Sequence, residues 1–434
     1  MRAILFLALA AISLRAQSDL APRLDQIATT EQSRQHLPGL AVVAIREGKI
    51  VYAKGFGVAS QESKAPVTPD TLFRTGQSTK LFVALATVML SEQGRLHLDK
   101  PIGDTLVGLN LHIAAITPHN VLSNTTGLKD DSPNTGPHDE AALAREVASF
   151  NENSVFAAPG RTFSSSNLGF VLEGRLLEVV KGEPFADVMD ELIFRPWGMT
   201  HTTFRPTVAM SYPLAAGHSA DGKVIHPAPD NAAYWPAFSL YSSANDLARA
   251  MTIFLNAGKI NETPLASPEL LTTITESKTP RPGLPGTGYG YGIIVDSTHS
   301  IRLLRLGVAV PGYDGAIVLA PDSRSGVVVL TNQSGADATT IADKLLDRVW
   351  PLGIGPAESP SAPAGSDLAR YIGKYSNGAT SYDFSVINEK LMLKTSSDPT
   401  LLDPTTGECF RGGGINVCFT DGFAHVGVRA FKKQ

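Results

Sequence analysis

Residues 73–94 read Phe73-Arg74-Thr75-Gly76-Gln77-Ser78-Thr79-Lys80-Leu81-Phe82-Val83-Ala84-Leu85-Ala86-Thr87-Val88-Met89-Leu90-Ser91-Glu92-Gln93-Gly94. From Leu81 to Leu90 the run is apolar on nearly every face, which predicts a buried central helix over residues 78–93, stopped by Gly94. Upstream, Leu40 to Ile45 and Lys49 to Tyr52 read as two short strands joined around Glu47-Gly48. Downstream, Asp246 to Leu255 and Thr340 to Trp350 read as helices, and Ile317 to Ala320 and Val327 to Thr331 as buried strands. Strands at both ends with helices between them imply one sheet covered by helices.

The chain has 434 residues with 37 Lys+Arg against 41 Asp+Glu, a formal net charge of −4. That length favours two domains over one. A chain without a basic surplus is a poor candidate for nucleic-acid binding. A hydrophobic fraction of 43 % excludes a disordered chain, and two cysteines exclude a disulfide-dense scaffold or a four-cysteine zinc site. Residues 353–365 are nearly all Pro, Gly, Ala and Ser, the composition of a linker. Beyond it, in residues 366–434, Tyr382 to Ile387, Lys390 to Lys394, Cys409 to Arg411, Ile415 to Phe419 and Phe423 to Phe431 read as strands of a small all-β, barrel-like meander. A two-residue turn at Gly413-Gly414 sets Cys409 opposite Cys418 and predicts a cross-strand disulfide. Residues 1–16 have the layout of a cleavable secretory signal: one early positive charge, an apolar run and Ala16. The run is too short to span a membrane comfortably, so an exported protein, periplasmic or secreted, is expected.

Several stretches together resemble the penicillin-recognising serine hydrolases, which include class C β-lactamases, D-alanyl-D-alanine carboxypeptidases and related esterases. They are Phe73-Arg74-Thr75-Gly76 entering the helix that carries Lys80, Leu122-Ser123-Asn124-Thr125-Thr126-Gly127-Leu128, and Pro159-Gly160 leading to Ser166-Asn167-Leu168-Gly169. Tyr289-Gly290-Tyr291-Gly292, Pro311-Gly312-Tyr313 and Val327-Val328-Val329-Leu330-Thr331-Asn332 continue the family's order. The resemblance implies a β-lactamase/transpeptidase-like α/β (α+β) domain over residues 17–352, with an antiparallel sheet flanked by helices and a helical subdomain. The tail, opening on Tyr371-Ile372-Gly373-Lys374-Tyr375, resembles the β-domain that many members append.

Such enzymes work by acyl transfer. A serine three residues before a lysine shares one helix face with it at about 100° per residue. A tyrosine two residues before an asparagine moves the proton, and a lysine or histidine on an edge strand adds positive charge beside the oxyanion hole. In this chain Lys80 and Asn167 match. Gln77 stands at the nucleophile position, Ser165 at the tyrosine, Leu306 at the cation with Gly307 after it, and Val308 replaces the next glycine. A glutamine amide is not a nucleophile, a serine hydroxyl ends short of a phenol's reach, and leucine offers neither charge nor donor.

The expectation is therefore a non-hydrolytic binding or scaffold protein. Its vestigial cleft at Gln77, Lys80, Ser165, Asn167 and Leu306 would take a small-molecule or peptide ligand such as a carboxylate or amide. The alternative is a serine hydrolase whose nucleophile has moved to Ser165 or Ser78, although Ser78 lies about 200° round the helix from Lys80 and reads better as its N-terminal cap. A further alternative places partner binding in the β-domain. The ten histidines show no metal-ligand spacing, so neither metal nor cofactor is expected, and oligomeric state is not legible. Tyr289-Gly290-Tyr291-Gly292 reads as a strand end, and Gly217-His218-Ser219-Ala220-Asp221-Gly222 as a turn.

Overall fold

The computed structural model describes residues 20–130, 132–298, 301–351, 367–394 and 399–434. The signal segment (1–16) and the linker (353–365) lie outside the described residues.

Helix α1 (Leu20–Arg34) leads into β1 (Gly39–Arg46) and β2 (Lys49–Gly57). The run predicted as a helix over 78–93 forms α2 (Thr79–Glu92), preceded by a single 3₁₀ turn at Gly76–Ser78. Then come α3 (Asn167–Lys181), α4 (Ala244–Leu255), the short strands β3 (Thr279–Pro280), β4 (Thr287–Tyr289) and β5 (Ile294–Asp296), the longer β6 (Leu303–Val310), β7 (Tyr313–Ala320) and β8 (Ser325–Thr331), and α5 (Ala338–Val349). The eight strands form one antiparallel sheet in the order β2-β1-β8-β7-β6-β5-β4-β3.

The central strand β1 explains the uninterrupted apolar run Leu40 to Ile45. Alternate residues point to opposite faces, and helices cover both. Leu40, Val42 and Ala44 pack with Leu24 of α1 and Leu345 of α5. Ala41, Val43 and Ile45 join the larger core beneath α2, α3 and α4. Lys80 and ten other α2 residues are buried, so the helix runs through the middle of that core. A smaller sheet of Leu72–Arg74, Tyr241–Ser243 and Thr202–Thr203 supports its N-terminal end.

The tail is a closed eight-stranded barrel. Its strands are β9 (Gly373–Ser376), β10 (Ser381–Ile387), β11 (Lys390–Lys394), β12 (Thr400–Pro404), β13 (Cys409–Gly412), β14 (Ile415–Thr420), β15 (Phe423–Val426) and β16 (Arg429–Lys433). Each strand pairs with the next, and β9 closes on β16. Cys409 faces Cys418 in the register, and the two form a disulfide with Cα atoms 4.1 Å apart.

The sequence reading missed β9 and β12. It also ran Phe423 to Phe431 together as one strand. Gly427, at φ +62°, turns the chain there, so this stretch is the hairpin β15–β16. The barrel packs against the larger domain: Phe156 meets the Phe423 ring edge-on at 6.4 Å, and Arg429 bonds Asp130.

Candidate functional site

The 3₁₀ turn before α2 lifts Gln77 toward the free edge of β6. There β5 has ended, because it pairs only with residues 303–305 of β6. The Gln77 amide makes two bonds to that edge. Its Nε2 donates to the Ala309 carbonyl at 3.1 Å, and its Oε1 accepts from the Ala309 N–H at 3.0 Å. A side-chain amide here imitates the ladder partner that the strand lacks. A strand N–H aimed at the tip of residue 77 is the kind of donor that stabilises a developing oxyanion in acyl transfer. In this chain Gln77 itself occupies it.

One helical turn on, the Lys80 side chain is fully buried. Its Nζ lies 3.5 Å from the Ser166 carbonyl and 4.9 Å from the centre of the Phe170 ring. Burial lowers its pKa to about 8, with the Asp130 carboxylate pulling upward and Arg429 downward. Gln77, Lys80, Ser165, Leu306 and Gly307 all line one cavity of about 250 Å³. Leu306 is 5 % exposed and joins the core, which makes the expected cationic position apolar. The neighbouring Arg305 does not replace it, because its guanidinium is held by Asp296 and Asp343 at 2.7 Å each.

Asn167 and Ser78 are not among the cavity's lining residues. The Asn167 amide donates to Asp130 Oδ2 at 3.3 Å, and its N–H donates to Oδ1 at 3.3 Å. Ser132 and Arg429 bond the same carboxylate. Ser78 is wholly buried and donates back to the Thr75 carbonyl at 2.7 Å. It makes no capping bond to α2, because the 3₁₀ turn points its hydroxyl at that carbonyl instead.

The remaining wall was not marked as a site in the sequence. Tyr289, at the end of β4, is a strand end as read, but its ring also lines the cavity, 5.6 Å from Phe163. Asn124, Arg281, Ile294 and Val428 also line it. Val428 comes from the barrel's last turn: its carbonyl accepts the Ser165 N–H at 2.9 Å, while the Ala430 N–H donates to Ser164 Oγ at 3.1 Å. A contact more than 260 residues apart in sequence leaves no local signal, whereas Asn124 and Tyr289 sit inside the quoted motifs.

Among the described residues no group of three or more His, Cys, Asp or Glu side chains is placed to hold a metal ion. None of the described helices is long and apolar enough to cross a membrane. A larger depression of about 840 Å³, bordered by Gly48, Arg249, Asn256 and Arg324, lacks this chemistry: Arg324 bonds Asn256, and Arg249 bonds the Trp197 carbonyl.

A Beta-lactamase family model matches residues 24–349. Protein flp of Staphylococcus aureus (strain N315) is 23 % identical over 328 residues, covering 73 % of this chain and 64 % of that protein. Unguisins hydrolase ungD' of Aspergillus campestris is 26 % identical over 336 residues, covering 73 % of this chain and 62 % of that protein. The chain thus spans less than two thirds of these relatives. Among solved structures, SurE superposes with a TM-score of 0.81 at 21 % identity, covering 97 % of this chain and all of that one. The octameric penicillin-binding protein homologue from Pyrococcus abyssi superposes with a TM-score of 0.67 at 23 % identity, covering 94 % of this chain and 99 % of that one.

Proposed function

The chain belongs to the Beta-lactamase family, and on that premise we propose that it binds a small-molecule or peptide ligand in this cleft without hydrolysing it. The observation that carries the reading is the paired bonding of Gln77 to Ala309, which puts an inert amide where a nucleophile and its oxyanion donor would meet. Losing one oxyanion-side donor typically costs about 10²–10³ in rate, and losing the nucleophile costs more. The Cys409–Cys418 disulfide supports an exported protein, since such bonds persist in oxidising compartments.

A second reading has one observation in its favour. Ser165 keeps a hydroxyl on the same cavity as Lys80, and Lys80, with a pKa of about 8, is about one-tenth neutral at pH 7. In that reading the chain is a serine hydrolase with a relocated nucleophile. Among the described residues no hydrogen bond joins the Ser165 hydroxyl to Lys80, whereas an activated nucleophile bonds its base.

The deciding experiment treats the full chain with a fluorescent penicillin and, separately, a fluorophosphonate, then maps any adduct by mass spectrometry. No adduct and no turnover of a chromogenic cephalosporin or a nitrophenyl ester is the expected result. A stoichiometric adduct on Ser165 would overturn it.

A further inference from the structure

The cavity's charge is unbalanced in one direction. Among the described residues no carboxylate bonds Lys80 directly: Asp130 acts on it only through space and is itself bonded by Arg429, Asn167 and Ser132. Arg281 also lines the cavity, and among the described residues no hydrogen bond or ion pair holds its guanidinium. Burial pushes its pKa down, with Tyr289 and the Asp296 carboxylate pulling weakly upward, a sign that the cation is partly stripped of water. A half-buried cation with no directly bonded carboxylate gains from a ligand that supplies one.

Arg281 is also held in place. Its N–H bonds the Thr287 carbonyl at 3.1 Å, closing the 281–287 loop. Gly283 in that loop, at φ +74°, packs so tightly on the barrel disulfide that an added Cβ would lie 1.9 Å from Cys418 Sγ. The guanidinium therefore sits on a loop braced from both sides. Much of the remaining lining is apolar, made by Phe163, Tyr289, Ile294, Leu306 and Val428.

We propose that the cleft is a binding site for a compact apolar monocarboxylate. Its carboxylate lies between Arg281 and Lys80, and its hydrocarbon body lies against Phe163, Leu306 and Val428. This names the ligand class of the binding reading above and rests on it. Position 306, where the family pattern puts the cation, supplies hydrocarbon, and the positive charge comes from Arg281 instead. A volume of about 250 Å³ limits the ligand to a short-chain or single-ring acid. The barrel turn sets that limit, since Val428 forms one wall and its carbonyl is tied to the Ser165 N–H.

The test measures binding of hexanoate and benzoate to the full chain by calorimetry, with hexanamide, benzamide, acetate and inorganic phosphate as comparators. Expected is saturable binding of at least one acid, with its neutral amide, acetate and phosphate each at least tenfold weaker. Arg281→Gln should weaken the acid at least tenfold and leave the amide unchanged, and Arg281→Lys should restore part of the loss. Val428→Trp should abolish binding of acid and amide alike, with an unchanged melting curve showing that the fold survives. The proposal is overturned if neither acid binds below about 10 mM, if amide, acetate or phosphate binds as well as the acid, or if Arg281→Gln binds like the parent. Turnover of the nitrophenyl ester of hexanoic acid is a separate outcome. It would overturn the non-hydrolytic reading while leaving the acid-binding result standing.

Discussion

The molecule contains two eight-stranded β-structures that treat their edges in opposite ways. The barrel closes β9 on β16, leaves no edge, and fills its interior with rings: Phe419 alone lies 4.4 Å from Tyr371, 5.1 Å from Phe384 and 6.0 Å from Phe410. The main sheet stays open, and the stretch of β6 beyond β5 faces the start of α2 across a cleft. Closure packs these rings with Leu391, Leu393 and Leu402 into one buried core. The open sheet gives exposed main-chain donors, which this chain satisfies with Gln77. The cleft lies at the open edge, and the barrel lends it a wall through the turn at Val428.

The sharpest way to break that contrast is to return reactive groups to the open edge. Gln77→Ser with Ser165→Tyr and Leu306→His frees the Ala309 N–H and restores nucleophile, phenol and cation. Hydrolysis of a chromogenic cephalosporin or a nitrophenyl ester should rise at least about 10³-fold above the parent. No gain in a folded triple variant would mean that the scaffold around the cleft has drifted as far as the reactive residues.

The next largest effect belongs to the closed barrel. Phe419→Ala removes the ring that the other aromatics surround and should cost about 3–5 kcal/mol, read as a lower denaturation midpoint. Because the cost falls on the barrel's interior, ligand contacts on the cleft's other walls should survive while the barrel remains folded.

Two buried charges sharpen the comparison by pH. Glu173 of α3 accepts one bond, from Thr87 at 2.8 Å, while its other oxygen has no partner, and burial raises its pKa to about 7. The folded state therefore holds this proton more tightly than the unfolded chain, and stability falls as pH rises from about 4.5 to 7. Glu173→Gln should gain on the order of 3 kcal/mol above pH 7 and nothing near pH 4. Lys80 shows the mirror case. Its depressed pKa of about 8 makes the charged form costly below that value, so Lys80→Met should stabilise at neutral pH and lose its advantage above about pH 10.5. Denaturant midpoints of both variants across that range check the signs.

Much of this was legible in the sequence because it is written in local patterns. The apolar run of α2, the double-sided burial of β1 and the Gly413-Gly414 turn that pairs Cys409 with Cys418 each depend on neighbours within a few residues. Strand β9 escaped because Gly373-Lys374-Tyr375-Ser376 has one buried residue and no alternation to read. The β15–β16 hairpin escaped because its turn residues, Gly427 and Val428, sit inside a run that is otherwise apolar and strand-like. In the cleft, Gln77, Ser165 and Leu306 were found by their places in motifs. Arg281, Asp130 and Val428 belong to no motif, and it is the docking of barrel on domain that brings Val428 to the cavity and Arg429 to Asp130. The turning of Asn167 toward Asp130 could not be read from a residue type that fits a ligand equally well.

The smallest predicted effect tests that docking. Arg429 bonds an Asp130 carboxylate that is almost fully buried, but its own side chain is 43 % exposed, so solvent screens the pair. In Arg429→Ala the carboxylate keeps its bonds from Asn167 and Ser132, and the loss should be about 1 kcal/mol. The informative readout is hydrogen exchange at the Ser165 and Ala430 amides, which bond across the same junction. If exchange at both rises several-fold while the barrel interior stays protected, the ion pair holds the turn against the cleft, and Val428 is a wall that can be loosened. Unchanged exchange would instead assign the hold to the two main-chain donors, making the turn a fixed part of the cleft. The cavity's size would then be set by the backbone of the barrel rather than by any charge upon it.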